Sequence, residues 1–345
     1  MFTQLQFRSI AGPSALNGIV SSTITPTITY NTVNNPMNPT GGKSYFYSMG
    51  FSGLGGNVKS ISNVFDWKYF HSVNKHRNVL AFHASGAFIT GYGGGEPPPY
   101  SRFYMGGESD IRGYDIRSIS PVTFIPTAST QQFTYTCGTC LNGAGQPTPR
   151  TIGVPVLGYT ISFPGGDTQG YGNIEYRIPI VGPVQAVLFF DGGTTGILRK
   201  GALRLDPTGF TNLQTQFPQA TPLAGLSQQL SIASGTNFRP RASTGIEFVV
   251  QLPIIQAPFR IYYAYNINRL HQQIVAPQDF ISPSEICEKG QPNCPAGGGF
   301  LPSSLPPDVW LNQIKPSIAQ LQNNPGRLNY FEPLRTFRFT VSRTF

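Results

Sequence analysis

The chain has 345 residues and a mass of 37.5 kDa, yet only 11% of it is charged, against roughly a quarter in an ordinary soluble domain. A surface of that size either meets a solvent less demanding than water or is wetted by Ser, Thr, Asn and Gln. The 12% aromatic content excludes a disordered chain, and a net charge of +9 without any basic run argues against nucleic acid as a partner.

The amino-terminal stretch MFTQLQFRSIAGPSALNG lacks the apolar core of about 7–15 residues that a secretion signal needs. If the protein is exported, a part ahead of this sequence is expected to carry the signal. No window reaches the ~18 uninterrupted apolar residues of a membrane helix, so spanning helices are excluded.

Four early segments, 19–32, 43–54, 59–71 and 78–91, alternate loosely between apolar and polar residues. In the third, Ile61, Phe65, Trp67 and Tyr69 face away from Ser60, Ser62, Asp66 and Lys68. The connection 92–169 then carries Phe103-Tyr-Met-Gly-Gly-Glu-Ser-Asp-Ile-Arg-Gly-Tyr114, followed by Ile119-Ser-Pro121. It also holds Cys137 and Cys140 in a Gly/Thr-rich stretch.

Period-two alternation sharpens from residue 171 onward. Ile174, Tyr176, Ile178 and Ile180 stand opposite Asn173, Glu175 and Arg177, while Val184, Ala186, Leu188 and Phe190 stand opposite Gln185, Val187, Phe189 and Asp191. Ile246, Phe248, Val250 and Leu252 oppose Glu247 and Gln251. Phe259, Ile261, Tyr263, Tyr265 and Ile267 oppose Arg260, Asn266 and Asn268. Cys287 and Cys294 follow, then a helical spacing of Val309, Leu311, Ile314, Ile318 and Leu321 within 308–322. The chain closes on Phe337, Phe339, Val341 and Phe345 against Arg338, Thr340, Ser342 and Thr344.

These segments make nine candidate strands with lopsided links. Connections 33–42, 72–77, 181–183 and 253–258 are short, whereas 92–169, 193–240 and 269–334 are long. An aqueous sandwich, the competing reading, gives no reason to sort its links by end and leaves few charges to cover two sheets. A transmembrane barrel with short turns at one end and long external loops at the other does sort them, and puts charge on the inner face and apolar side chains on the lipid face. The fold class is therefore all-β, an antiparallel transmembrane β-barrel.

The pattern aromatic-x-x-Gly-Gly-x-x-x-x-Arg-Gly-aromatic at 103–114 resembles loop six of the BamA family of outer-membrane assembly factors. The wider bacterial surface antigen superfamily also holds TamA and the two-partner secretion transporters. The segment Phe189-Phe-Asp-Gly-Gly-Thr-Thr-Gly196 and the terminal FRFTVSRTF look similar too. The resemblance implies the carboxy-terminal part of a sixteen-stranded barrel, about nine strands spread over residues 1–345, with the family's periplasmic POTRA domains absent from the chain. It further implies that the loop folds back into the lumen. Gly106, Gly107, Arg112, Gly113 and Tyr114 form the motif, and Glu175 and Asp191 are the acidic partners of Arg112. Phe337, Phe339, Val341 and Phe345 would form the carboxy-terminal signal and one edge of a seam.

The implied function is insertion of client barrel proteins into the outer membrane of a diderm bacterium through that seam. The partners would be lipid, unfolded clients and accessory lipoproteins reached through POTRA domains. A TamA-like or two-partner secretion transporter and a passive channel are the alternatives. An enzyme is not expected, because the chain has no GxSxG elbow and places His71, His76, His83 and His271 in no triad context. No cofactor and no metal are expected either. Cys137, Cys140, Cys287 and Cys294 read as disulfide candidates in preference to zinc ligands, since CxxC plus Cx6C without adjacent His is a poor zinc pattern.

Overall fold

The computed structural model describes residues 20–36, 38–73, 78–252, 257–281 and 309–341. Its main sheet is antiparallel throughout. One edge position is shared by β1 (Thr23–Ile24) and β2 (Thr27–Asn31), both paired with β3 (Gly42–Ser52). Then follow β4 (Ser60–Ser72), β5 (Val79–Gly91), and, after an excursion through β6 (Thr123–Leu141) and β7 (Pro147–Ser162), β8 (Thr168–Val181), β9 (Val184–Gly196), β10 (Arg241–Leu252) and β11 (Ala257–Asn266). A second excursion, β12 (His271–Val275) and β13 (Arg327–Phe331), precedes the last strand, β14 (Arg335–Val341). Each wall strand lies beside its chain neighbour once the excursions are set aside.

The two faces of this wall differ as the alternation dictates. Ile174, Leu188, Phe190, Ile246 and Phe248 all point outward and are exposed, whereas Glu175, Asp191 and Glu247 are fully buried on the inner face. Phe337 and Phe339 are each 69% exposed. Among the described residues no second sheet covers the apolar side, for the remaining sheets are the two-stranded β6–β7 and β12–β13 hairpins. A contiguous apolar surface of this extent is a liability in water and the ordinary outer face of a barrel in hydrocarbon. Among the described residues no helix is long and apolar enough to cross a membrane.

The long connections are more ordered than loops. Region 92–169 contains the β6–β7 hairpin, and region 193–240 contains helices α1 (Pro207–Gln216) and α2 (Ala220–Ala224). Region 269–334 contains the β12–β13 hairpin and a π-turn, Trp310–Ile314, running into α3 (Lys315–Gln322). Asp206 caps α1 by accepting from the Gly209 amide at 2.9 Å, with Pro207 at the first helical position. The apolar cores lie here. Ile125, Leu157, Leu203, Leu213, Phe217 and Phe280 gather around α1, while Tyr135, Ile152, Val154, Trp310, Ile314 and Ile318 clamp α3 onto the hairpin. The β6 strand escapes alternation because residues 127–136 are mostly Thr, Ser and Gln on both faces.

Two wall strands outrun their sequence pattern. β9 continues past Asp191 through Gly192-Gly-Thr-Thr-Gly196, and β10 starts at Arg241, five residues before Ile246. Small residues are required there by packing rather than by pattern. A Cβ on Gly193 would sit 2.5 Å from the Tyr171 Cβ and 2.6 Å from the Met105 Cε.

Candidate functional site

Beyond β5 the chain turns back across the inner face. Phe103 bridges to Gly166 and Met105 to Ile119, so residues 103–120 form a closed loop. Its own small core of Met105, Ile111, Tyr114 and Ile119 packs beside Tyr171 of β8. Gly106, Gly107 and Gly113 take φ of +110°, +111° and +92°, a region that residues with a Cβ rarely enter. At Gly113 the requirement is double, because a Cβ would also fall 2.2 Å from the Asn266 Oδ1 and 2.9 Å from the Ala264 Cβ.

That turn delivers Arg112, 1% exposed, into the wall. Its Nε and Nη2 donate to the two carboxylate oxygens of Asp191 at 2.8 Å each, and its backbone N–H adds a third bond to Asp191 at 3.0 Å. Its Nη1 donates to the Glu247 Oε2 at 2.8 Å. The same nitrogen lies 2.7 Å from the Glu175 Oε1, off the N–H direction, so that contact is Coulombic rather than an aligned hydrogen bond. The Phe189 ring lies under the guanidinium, 3.9 Å from Cζ. A planar fork matched to carboxylates and stacked on an aromatic face is work that lysine cannot do.

Three carboxylates around one cation would repel one another without further positive charge. Arg177 supplies it to Glu175, with Nε and Nη2 each 2.7 Å from Oε2. Arg260 supplies it to Glu247, at 2.6 and 2.7 Å. Burial alone favours loss of the Arg112 proton, but Asp191, Glu175 and Glu247 outweigh it and hold the guanidinium charged well above its ordinary range. Glu175 therefore serves Arg177 and Arg112 at once, one oxygen each.

The loop is tied down on both flanks. Toward β4, the Asn173 amide donates to the Asp191 Oδ1 at 2.9 Å and to the Asp110 carbonyl at 2.7 Å. The Asn173 Oδ1 meets the His83 Nδ1 at 2.9 Å, and the His83 Nε2 meets the Asp66 Oδ2 at 2.6 Å. Toward the last strand, the Tyr114 hydroxyl donates to the carbonyls of Ala242 and Asn268 at 3.3 Å each, and burial pushes that hydroxyl up, keeping it a neutral donor. The Gly113 carbonyl accepts from the Asn266 Nδ2 at 2.9 Å and the Thr336 Oγ1 at 2.7 Å, and Arg338 pairs with Asp115.

Glu175 and Asp191 thus stand around Arg112. Sequence reasoning did not name Glu247, Arg260 or Asn173 as parts of this cluster. The available signal was their place on the polar side of each strand. Phe337, Phe339 and Val341 lie on the outer face of β14; Phe345 lies outside the described residues. Cys137 and Cys140 fall where the β6–β7 register shifts, with only their backbone described, and Cys287 and Cys294 lie outside the described residues. Among the described residues no group of three or more His, Cys, Asp or Glu is placed to hold a metal ion.

An antiparallel wall with a charged inner face, an apolar outer face and a loop ion-paired to its interior defines a β-barrel membrane protein. Residues 19–277 match the Omp85 superfamily domain, and the chain belongs to that superfamily. Over 104 residues it is 32% identical to the outer membrane protein assembly factor BamA of Nitratidesulfovibrio vulgaris, a stretch covering 30% of this chain and 13% of that protein. It is also similar to the crystal structure of BamA from Haemophilus ducreyi lacking POTRA domains 1–3, with a TM-score of 0.46 at 21% identity. That match covers 72% of this chain and 39% of the other. The chain thus spans well under half the length of either relative.

Proposed function

We propose that the chain is barrel wall and plug loop of an outer-membrane assembly factor, which inserts client β-barrel proteins into the outer membrane of a diderm bacterium without a cofactor. The observation that carries this reading is Arg112, brought by a loop to carboxylates on three consecutive wall strands. A docked loop keeps the inner face closed, while the outer edge of β14 has no strand partner among the described residues. Free N–H and C=O groups on such an edge recruit an incoming strand by β-augmentation. The driving force for the client is burial of its own apolar outer face in lipid. Clients, lipid and lipoproteins reached through POTRA domains are the partners this role implies.

The test is client insertion by the full-length protein carrying Arg112→Ala, reconstituted in vesicles. Insertion should fall together with protease protection of residues 103–120. Undiminished insertion with undiminished protection overturns the proposal. A steady conductance in planar bilayers, indifferent to Arg112, would instead identify a passive channel.

A further inference from the structure

The geometry points to a second task for the plug loop: it gauges the register of the last strand, so that loop docking and β14 pairing rise and fall together. β14 meets one strand partner among the described residues, β11, through the seven positions from Phe259↔Val341 to Tyr265↔Arg335. Its outer side chains, Phe337, Phe339 and Val341, are more than half exposed and stand opposite Tyr263, Ile261 and Phe259 of β11. The side-chain hydrogen bonds that tie this strand to the loop come from the inner face, through Thr336 and Arg338.

The decisive atom is the Gly113 carbonyl oxygen. It accepts one bond from β11, through Asn266, and one from β14, through Thr336. The Asn266 amide also donates to the Pro333 carbonyl at 2.8 Å, just ahead of β14. Slipping β14 by one residue would turn Thr336 and Arg338 to the lipid side. Slipping it by two would carry Thr336 about 6.8 Å along the strand, beyond hydrogen-bond reach. The bonded register is thus the one compatible with a docked loop. Because coupling between two equilibria is reciprocal, a loop that leaves loosens the strand, and a strand that slips loosens the loop. Gly113 lies beside Arg112, so the ion cluster and this gauge belong to one movement.

The inference concerns the mechanics of the wall and does not require that the protein insert clients. Its test is amide hydrogen exchange on the full-length protein in lipid nanodiscs, comparing parent, Thr336→Val and Asp115→Asn. Valine keeps the shape and suits a strand at least as well as threonine, so any loosening reports the lost bond to Gly113. Exchange in 335–341 is expected to quicken about tenfold in Thr336→Val, with a parallel rise in 111–115, while β8 and β9 stay protected. Asp115→Asn, at an exposed loop position that threatens no core, should give a smaller rise in both regions. Unchanged exchange in 335–341 in both variants, or a rise there that leaves 111–115 untouched, overturns the coupling.

Discussion

Arg112 and Glu247 stand 135 residues apart in the chain and meet at 2.8 Å, with both side chains almost wholly out of contact with solvent. The contact depends on the Gly113 turn, which commits the loop to the wall, and on β10 lying beside β9, where Glu247 pairs with Val187, on the same inner face as Asp191. A buried charge held by partners from separate strands makes those strands interdependent, and the consequences can be measured.

Removing the guanidinium should be costly. Arg112→Ala leaves Glu175, Asp191 and Glu247 facing only Arg177 and Arg260, and breaking a buried pair from one side typically costs about 3–5 kcal/mol. Urea titration of the refolded barrel in vesicles should show the loss. Arg112→Lys should recover part of it, since a lysine keeps the charge but cannot reproduce the two-pronged bond to Asp191. A lysine variant as stable as the parent would sink the argument for the fork.

The cluster also makes a prediction about non-additivity. Glu247→Gln alone leaves three guanidiniums against two carboxylates. Combined with Arg112→Ala it leaves two against two. The double variant is expected to be less destabilised than the sum of the single ones, with an interaction energy of about 1–3 kcal/mol. Simple additivity in the same titration would show that the two charges do not sense each other.

Gly113→Ala adds one methyl group and should undock the loop while leaving the wall folded. The backbone there has φ of +92°, and the new Cβ would collide with Asn266. Left-handed geometry alone costs about 1–2 kcal/mol for a non-glycine residue. Limited proteolysis should cut within 103–120 several times faster, with strand content unchanged by circular dichroism. Equal cutting rates would mean that the loop tolerates the turn in another conformation.

The outer face yields to a different substitution. Phe190→Arg, in the middle of β9 and pointing outward, should lower stability in a bilayer by about 2–4 kcal/mol, the cost of a guanidinium facing hydrocarbon at mid-depth. Folding yield into vesicles measures it. A neutral result would place this face against water or protein instead.

What the sequence disclosed follows from the range of each signal. Alternation is local, so β8 to β11 could be read from five or six residues each, and so could the face on which Glu175, Asp191 and Glu247 lie. The choice among those carboxylates was not local. Arg112 selects by strand order and loop height, and Glu247 is equivalent to its neighbours until β10 is laid beside β9. Glycine hid the rest. The end of β9, from Gly192 to Gly196, has only two threonines among glycines and no apolar residue to alternate; it is a strand through its pairing with β8, with Met105 and Tyr171 filling the space above Gly193. The Thr- and Gln-rich hairpin β6–β7 read as loop for a similar reason: one of its faces is covered by α3, whose contribution comes from far along the chain.

The equal count of positive and negative groups around Arg112 bears on what the interior would conduct. With the loop in place the cluster has no net charge and offers no attraction to a passing ion. Withdraw the loop, and the same surface keeps one uncompensated carboxylate beside the space the loop vacated. The same departure strips Arg338 of Asp115, so undocking leaves the inner wall with one unpaired charge of each sign and, at these sites, no net preference for cation or anion.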